Sequence, residues 1–579
     1  MNRLLTPWGE TLDREHPLPE YPRPQLVRDS YVNLNGVWRC AFTRTPLLPS
    51  HFTGEIVVPF APESILSGVE RQLQPGEYLW YERAVTLPEG FRKERVLLHF
   101  GAVDQIADVY WNGEAVAHHE GGYLPFEVDI TQYLRDGENI LTVCVTDSLI
   151  GTVHAYGKQK YRRGGIWYTA TSGIWQTVWL ESVPENYVES LELTPDFDQR
   201  RLFWRVRAKD AQGAHVVVRK DGVCIAEDWA EDDGSGSSLI LDEHFRPWTP
   251  EDPFLYSLEV DIKGGDRVES YFAMRKFSTV ERGGKRVLAL NNEPYFHNGL
   301  LDQGYWSDGL YTAPSDEALI HDIRTAKELG FNMLRKHIKI EPLRWYYHCD
   351  RLGMLVWQDL PSGGGRYDPL VVSAPLFTGV HLKDSHYRLF GRADARGREQ
   401  FLRDLDETVC LLYNCPCVAL WVPFNEGWGQ FDALRATQRL RALDPTRLVD
   451  HASGWHDQGG GDLRSYHIYF RPLKMKHDGR RALALTEFGG YSLPIEGHIH
   501  GKKFGYRMYE TAAEWMKDYV NLYENQLIPL IEREGLSAAV YTELSDVEDE
   551  LNGLLTFDRR VCKADAETMR ALNAKVRFM

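Results

Sequence analysis

Cysteine is scarce in this sequence and poorly placed for cross-linking: eight residues are scattered over 579, several of them inside apolar runs, as Cys144 and Cys224 are. That pattern excludes a disulfide framework and points to a reducing compartment. The tightest group, Cys410, Cys415 and Cys417, lacks the two-residue spacer of a zinc knuckle and has no nearby Cys or His pair to complete four ligands, so it reads as buried thiols. Excess positive charge is missing too. A net charge of −17 argues against a nucleic-acid or anionic-membrane partner and suits a neutral or cationic ligand. No run approaches the ~20 apolar residues of a membrane-crossing helix, and residues 1–10 hold no apolar core of signal-peptide length, so the expected location is the cytoplasm. Internal repeats are absent, and the one low-complexity segment is the polar stretch 231–238.

What is present is a long globular chain. Hydrophobic residues at 43% and charged ones at 26% are ordinary for a globular protein, while 579 residues exceed one core and call for three or four domains. From about 31 to 183 short runs alternate with period two, and Asn112-Gly113 between Val109-Tyr110-Trp111 and Glu114-Ala115-Val116 predicts a type I′ hairpin. The expectation for residues 1–184 is a two-sheet jelly roll. Residues 185–278 carry a second set of short strands (Val216-Val217-Val218, Leu239-Ile240-Leu241, Leu255 to Val260), with 231–238 as a loop between them, and suggest an immunoglobulin-like sandwich. After Phe277 the pattern changes. Apolar residues at 319, 323 and 326 with Gly330 behind them predict a helix from Ser315 to Leu329, and Pro342 and Gly353 bracket another, with Pro342 at its first position. Strand candidates near 295, 332, 355, 418, 448, 465, 482 and 538 number eight, as a (β/α)8 TIM barrel over 279–579 requires.

Two of those strands end in glutamate. The apolar run from Val418 breaks into Asn425-Glu426-Gly427-Trp428, and Ala482-Leu483-Ala484-Leu485 into Thr486-Glu487-Phe488-Gly489. A lone acid after a strand is commonly a helix first-turn residue or a salt-bridge partner. Two at the carboxyl ends of barrel strands could converge on one cavity, where glycosidic-bond cleavage needs one carboxyl to protonate the leaving oxygen and another to attack or to activate water. The residues alone leave open which of Glu426 and Glu487 takes which part. Other polar or aromatic residues fall at strand ends: Asp302, His337, Trp357, Asp359, Trp455, Tyr466, His467 and Glu543 are expected to line the sugar pocket, with Gln303, Arg335, His451 and Tyr541 beside them. The basic aromatic loop 156–167 reads either as a solvated loop or as a rim of that pocket.

The motifs Asn425-Glu426-Gly427 and Thr486-Glu487-Phe488-Gly489 resemble those of glycoside hydrolase family 2, which holds β-galactosidases, β-glucuronidases and β-mannosidases. Gly121-Gly122-Tyr123 and Ser172-Gly173-Ile174-Trp175 are similar to its amino-terminal sugar-binding domain, and Trp248-Thr249-Pro250 to the segment that closes its second domain. The resemblance implies an exo-acting, retaining glycosidase with no organic or redox cofactor, in which Glu487 is the nucleophile, Glu426 the acid/base with a raised pKa and Asn425 the partner of the sugar 2-hydroxyl. It leaves a divalent metal open, since the strand-one segment Leu301 to Trp306 differs from the metal-binding pattern of the galactosidases. Family glucuronidases grip the substrate carboxylate with an Asn-x-Lys pair before a Gly, but here Glu550 and Asn552 stand at those positions. A carboxylate there disfavours a uronate by an amount on the order of 1 kcal/mol. The expected substrate is therefore a β-D-galactoside, or the sterically similar α-L-arabinopyranoside. The alternatives are a β-glucuronidase, a β-mannosidase or a catalytically silent sugar-binding relative. The expected partner is a glycoside or oligosaccharide, and homo-oligomerisation stays open.

Overall fold

The computed structural model describes residues 3–578, so Met1 and Asn2 of the opening stretch and the final Met579 lie outside it. A four-stranded sheet and a six-stranded antiparallel sheet make up the amino-terminal part. Trp38, Tyr81, Leu98, Phe100, Trp111 and Val143 from the two sheets fill the space between them. The strand Ile106–Trp111 alternates, with Ala107, Val109 and Trp111 inward. Asn112 and Gly113 turn it back with φ of 55° and 86°, the hairpin that the sequence predicts.

A second pair of sheets, of three and four strands, follows. Here the segment 231–238 differs from its reading as a loop, because a strand runs Ser235–Leu239 and pairs with Arg201–Arg207. Its small residues are what fit there. A Cβ on Gly236 would sit 2.2 Å from the Trp204 ring, and Ser238 accepts the Trp204 indole hydrogen at 3.3 Å. Composition suggested a loop where a bulky neighbour requires a thin strand.

Eight parallel strands then form a nearly closed barrel: β1 (His297–Asp302), β2 (Met333–Lys336), β3 (Leu355–Asp359), β4 (Val418–Val422), β5 (Leu448–Val449), β6 (Leu463–Ile468), β7 (Ala482–Gly489) and β8 (Leu536–Thr542). Every sequential pair is hydrogen-bonded except β5 with β6, and β1 closes onto β8. These are the eight positions expected from the sequence. Helix α1 (Asp316–Glu328) begins at Ser315, whose side chain accepts from the Ala318 amide, and Gly330 follows it at φ 91°. In α2 (Leu343–Leu352) Pro342 is the N-cap residue with extended ψ of 144°, one position before the expected one. Gly353 ends α2 at φ 74°, where a Cβ would approach the Pro250 carbonyl oxygen to 2.4 Å.

One buried cation ties the two sheet pairs together. Arg28 donates to Glu181 of the first at 2.8 Å, and to Asp266 of the second at 3.0 Å, with all three side chains almost fully buried. Removing one member of a buried ion network strands its partners' charges, at a cost of about 3–5 kcal/mol. Arg28→Met is therefore expected to lower the first thermal unfolding transition by several degrees, as followed by calorimetry. An unchanged transition would show that the two sheet pairs are held by packing alone.

Candidate active site

Pleating decides which strand-end residues reach the barrel axis. In β2, Arg335 points inward and Lys336 outward. Arg335 is fully buried and donates to Asp359 of β3 at 2.9 and 3.0 Å, to the Thr486 carbonyl at 3.0 Å and Glu487 of β7 at 3.2 Å, and to the Asn425 side-chain oxygen at 2.9 Å. It thus joins β3, β7 and the exit of β4. Burial alone would weaken its charge, yet Asp359 and Glu487 keep it raised above the usual guanidinium range. Burial pushes Asp359 up despite Arg335, and Asp359 meets His337 Nδ1 at 2.6 Å. His337 is held well below the ordinary histidine value by burial and is neutral at pH 7.

Glu426 and Glu487 come together at the mouth. One oxygen of each and one nitrogen of His467 all lie within 4.8 Å of one another. His467 Nδ1 stands 2.8 Å from Glu426 Oε1 and 3.5 Å from Glu487 Oε2. Glu426 takes a left-handed φ of 51°, which aims it off the end of β4, while its amide donates to the Ser453 carbonyl at 3.0 Å. Such a conformation in a non-glycine residue costs of order 1–3 kcal/mol and concentrates at functional sites. Burial and the Glu487 charge push Glu426 above the ordinary glutamate value. Burial would push Glu487 up as well, but His467, Arg335 and the Tyr469 hydroxyl, which donates to it at 2.5 Å, hold it below that value. The two environments push the carboxyls in opposite directions, Glu426 toward its protonated form and Glu487 toward its ionised one.

Of the other residues expected in the pocket, the structure gathers Asn425, His337, Asp359, Trp455, His467 and Glu543. Asn425 Nδ2 is buried and has no hydrogen-bond partner among the described residues. Trp455 packs against His467 with ring centres 6.3 Å apart. Glu543 is fully buried, accepts from Gln303 at 2.8 Å, and is pushed well up by burial and by Glu550. Three expected residues lie elsewhere. Asp302 shares the outward face with its register partner Lys336 and accepts from that lysine at 2.7 Å. Tyr466 is one residue from inward His467 and points out, its hydroxyl 3.5 Å from the Lys476 carbonyl. Trp357 points inward as the partner of Arg335, but lies deeper than Asp359, and its indole donates to His297 at the amino-terminal end of β1. It is barrel core rather than pocket wall.

Several residues of the site escape sequence reasoning. Tyr469 lies two positions past His467 on the same inward side, so period-two alternation carried beyond β6 could have found it. Tyr506, stacked on Tyr469 at 4.3 Å, gives no such signal. The loop 156–167 lies against the barrel: the Tyr156 and Gly157 amides donate to the Ser362 carbonyl, and Trp167 stacks on Trp428 at 5.1 Å. Lys158 of this loop lies over the Trp428 ring at 5.9 Å, close enough for its charge to act on Glu426 and Glu543. Among the described residues the single metal-ligand-like group is Glu426, His467 and Glu487. A cation there would occupy both carboxylates, so the trio does not fit a separate metal centre.

The family described as glycosyl hydrolases family 2, sugar binding domain, matches residues 68–184. A β-galactosidase of Thermoanaerobacter pseudethanolicus is 24% identical over 439 residues, 72% of this chain and 55% of that protein. A β-glucuronidase of Felis catus is 26% identical over 486 residues, 74% of this chain and 69% of that protein. The chain thus spans about half the length of the first of these relatives. In solved structures, a β-glucuronidase of an uncultured Clostridium sp. superposes with a TM-score of 0.75 at 19% identity, over 95% of this chain and 99% of that one. A β-glucuronidase of Ruminococcus gnavus does so with 0.75 at 16%, over 96% and 99%. Residues 68–184 thus match the family 2 sugar-binding domain, and the chain as a whole is similar to β-galactosidases and β-glucuronidases.

Proposed function

We propose that this chain is an exo-acting, retaining glycoside hydrolase that releases a terminal neutral sugar, with a β-D-galactoside as substrate and an α-L-arabinopyranoside as its close analogue. The observation that carries the reading is the carboxyl pair: oxygens within 4.8 Å leave no room for the water that an inverting enzyme holds across about 6.5–9.5 Å. Glu487, kept ionised by Arg335, His467 and Tyr469, attacks the anomeric carbon. Glu426, kept protonated by burial and by Glu487, gives its proton to the departing glycosidic oxygen. As a base it then takes a proton from the water that releases the sugar. Asn425, its oxygen anchored by Arg335, offers its unpartnered amide to the 2-hydroxyl.

The neutral glycone is supported by the wall beyond β8. Glu550 is buried, accepts from Tyr168 at 2.6 Å and from Asn552 at 3.0 Å, and lies close enough to Glu543 to raise it. A uronate would meet two carboxyl groups there. Exo action is supported by the loop 156–167, which packs against the barrel beside Glu426 through Trp167 on Trp428. We read residues 1–184 as a jelly roll, 185–278 as an immunoglobulin-like brace and 279–579 as the catalytic barrel. The eight free cysteines suit the cytoplasm.

The two carboxyls predict a bell-shaped pH dependence of kcat/KM. Glu487 must be ionised, so activity falls in acid as pH drops through its lowered value, below the ordinary 4.5. Glu426 must be protonated, so activity falls again as pH rises through its raised value, above 4.5. A rate that stayed flat through neutral and alkaline pH would contradict the assignment of the acid. Glu487→Gln is expected to fold normally and to abolish turnover on every member of a panel of nitrophenyl β-D and α-L glycosides. Glu426→Ala should lose about 10²–10⁴-fold on substrates with poor leaving groups. With a nitrophenyl leaving group it should form the glycosyl-enzyme and be rescued by azide, giving a glycosyl azide of retained configuration. Azide rescue of the position-487 variant with retained configuration would exchange the two roles. Silence of the wild-type protein on the whole panel would favour a sugar-binding relative.

A further inference from the structure

Lys158 belongs to the amino-terminal sheets by sequence and to the barrel's cavity by position. The residue is 6% exposed, and among the described residues its ammonium has one hydrogen-bond partner, the Tyr168 hydroxyl at 3.3 Å. Tyr168 in turn donates to Glu550 at 2.6 Å, so Glu550 fixes the phenol that fixes the lysine. The ammonium lies over the Tyr168 ring at 4.9 Å and the Trp428 ring at 5.9 Å, the latter two residues from Glu426. An ammonium has three N–H groups, and a nearly buried one with a single partner has donors left over.

Across the cavity the shortage is reversed. Glu543 Oε1, Gln303 Oε1 and Asn552 Oδ1 are all buried without a partner among the described residues. The other ends of these groups are engaged, Gln303 with Glu543 and Asn552 with Glu550. Buried polar groups are ordinarily satisfied, so spare donors facing spare acceptors ask for a ligand that can do both. A carboxylate can accept from Lys158 but has no hydrogen for the Gln303 and Asn552 amide oxygens, which can only accept. An ammonium can feed the acceptors but repels Lys158. A hydroxyl accepts and donates at once, and two neighbouring hydroxyls on a sugar ring can bridge the two sets.

We propose that Lys158 is a specificity-determining residue of the glycone pocket, reading with Glu543 a pair of neighbouring hydroxyls on a neutral sugar. This rests on the glycosidase reading above and deepens it. The pocket is completed by the amino-terminal sheets, so the barrel alone holds the carboxyl pair without the group that selects the sugar.

The test combines substitution in the protein with deletion in the substrate. kcat/KM is measured for the wild type, Lys158→Met and Lys158→Arg on 4-nitrophenyl β-D-galactopyranoside and on its 3-deoxy, 4-deoxy and 6-deoxy analogues, with glucuronide, glucoside and mannoside as comparison glycones. The wild type is expected to prefer a neutral glycone. Lys158→Met should lose roughly 10- to 100-fold on the full sugar, the size of one charged hydrogen bond. On the analogue lacking the hydroxyl that Lys158 reads, it should lose only a few-fold, because that contact is already gone. Lys158→Arg, which keeps the charge, should recover part of the loss and guards against a folding defect. An equal loss on every analogue would assign Lys158 a structural role and overturn the proposal, as would a wild type that cleaves the glucuronide best. A wild type that cleaves no glycoside would instead bring down the underlying glycosidase reading, which separates the two failures.

Discussion

A single buried guanidinium holds the catalytic geometry. Arg335 spends all three of its nitrogens on four groups from three barrel strands, and each contact fixes something the chemistry uses. Its bidentate grip on Asp359 orients the carboxylate that meets His337. Its contact with Glu487, the proposed nucleophile, helps hold that carboxyl below its ordinary value where burial would push it up. Its bond to the Asn425 oxygen leaves the amide nitrogen of that side chain without a partner among the described residues. A lysine could make one such contact at a time, whereas the planar fork makes them together.

The second constraint is the backbone at Glu426. Glu426 takes a left-handed φ four residues beyond the end of β4, and its amide is tied to the segment that follows β5. This brings two carboxyls 61 positions apart in sequence to either side of one imidazole. Their opposite protonation follows from placement. Glu426 has burial and a like charge beside it, and Glu487 has a guanidinium, an imidazole and a phenol. The opposite states that the proposed reaction asks of them are therefore favoured before any substrate arrives.

Much of this was legible in the sequence because barrel grammar is local. Apolar runs, a Ser315 cap and Gly330 and Gly353 stops gave the strand and helix order, and strand ends gave the carboxyl pair. What was not legible depends on which way a strand-end residue points. Asp302 and Tyr466 stand at the right height but on the outer face, and Trp357 stands on the inner face but one layer too deep. A one-residue change of face or a two-residue change of depth is invisible when strand limits are known only roughly. The strand Ser235–Leu239 was lost for another reason, since its serines and glycine are chosen by the Trp204 ring above them rather than by strand propensity. Lys158 and Trp167 were legible only as part of a loop with two readings, solvated or pocket rim. Their loop folds onto another part of the chain, and nothing in its own composition says what it covers.

The central claim is that Glu487 bonds to the sugar directly while Glu426 handles the protons, in a cavity too narrow for a water between them. The stereochemistry of hydrolysis tests this without a variant or an inhibitor. Proton NMR of the anomeric region, recorded in the first minutes of cleavage of a nitrophenyl β-D-galactoside and before mutarotation, shows which anomer is released. The account predicts the β-anomer first, with the α-anomer growing in only later. Release of the α-anomer as the initial product would mean a single inverting displacement by water and would contradict it.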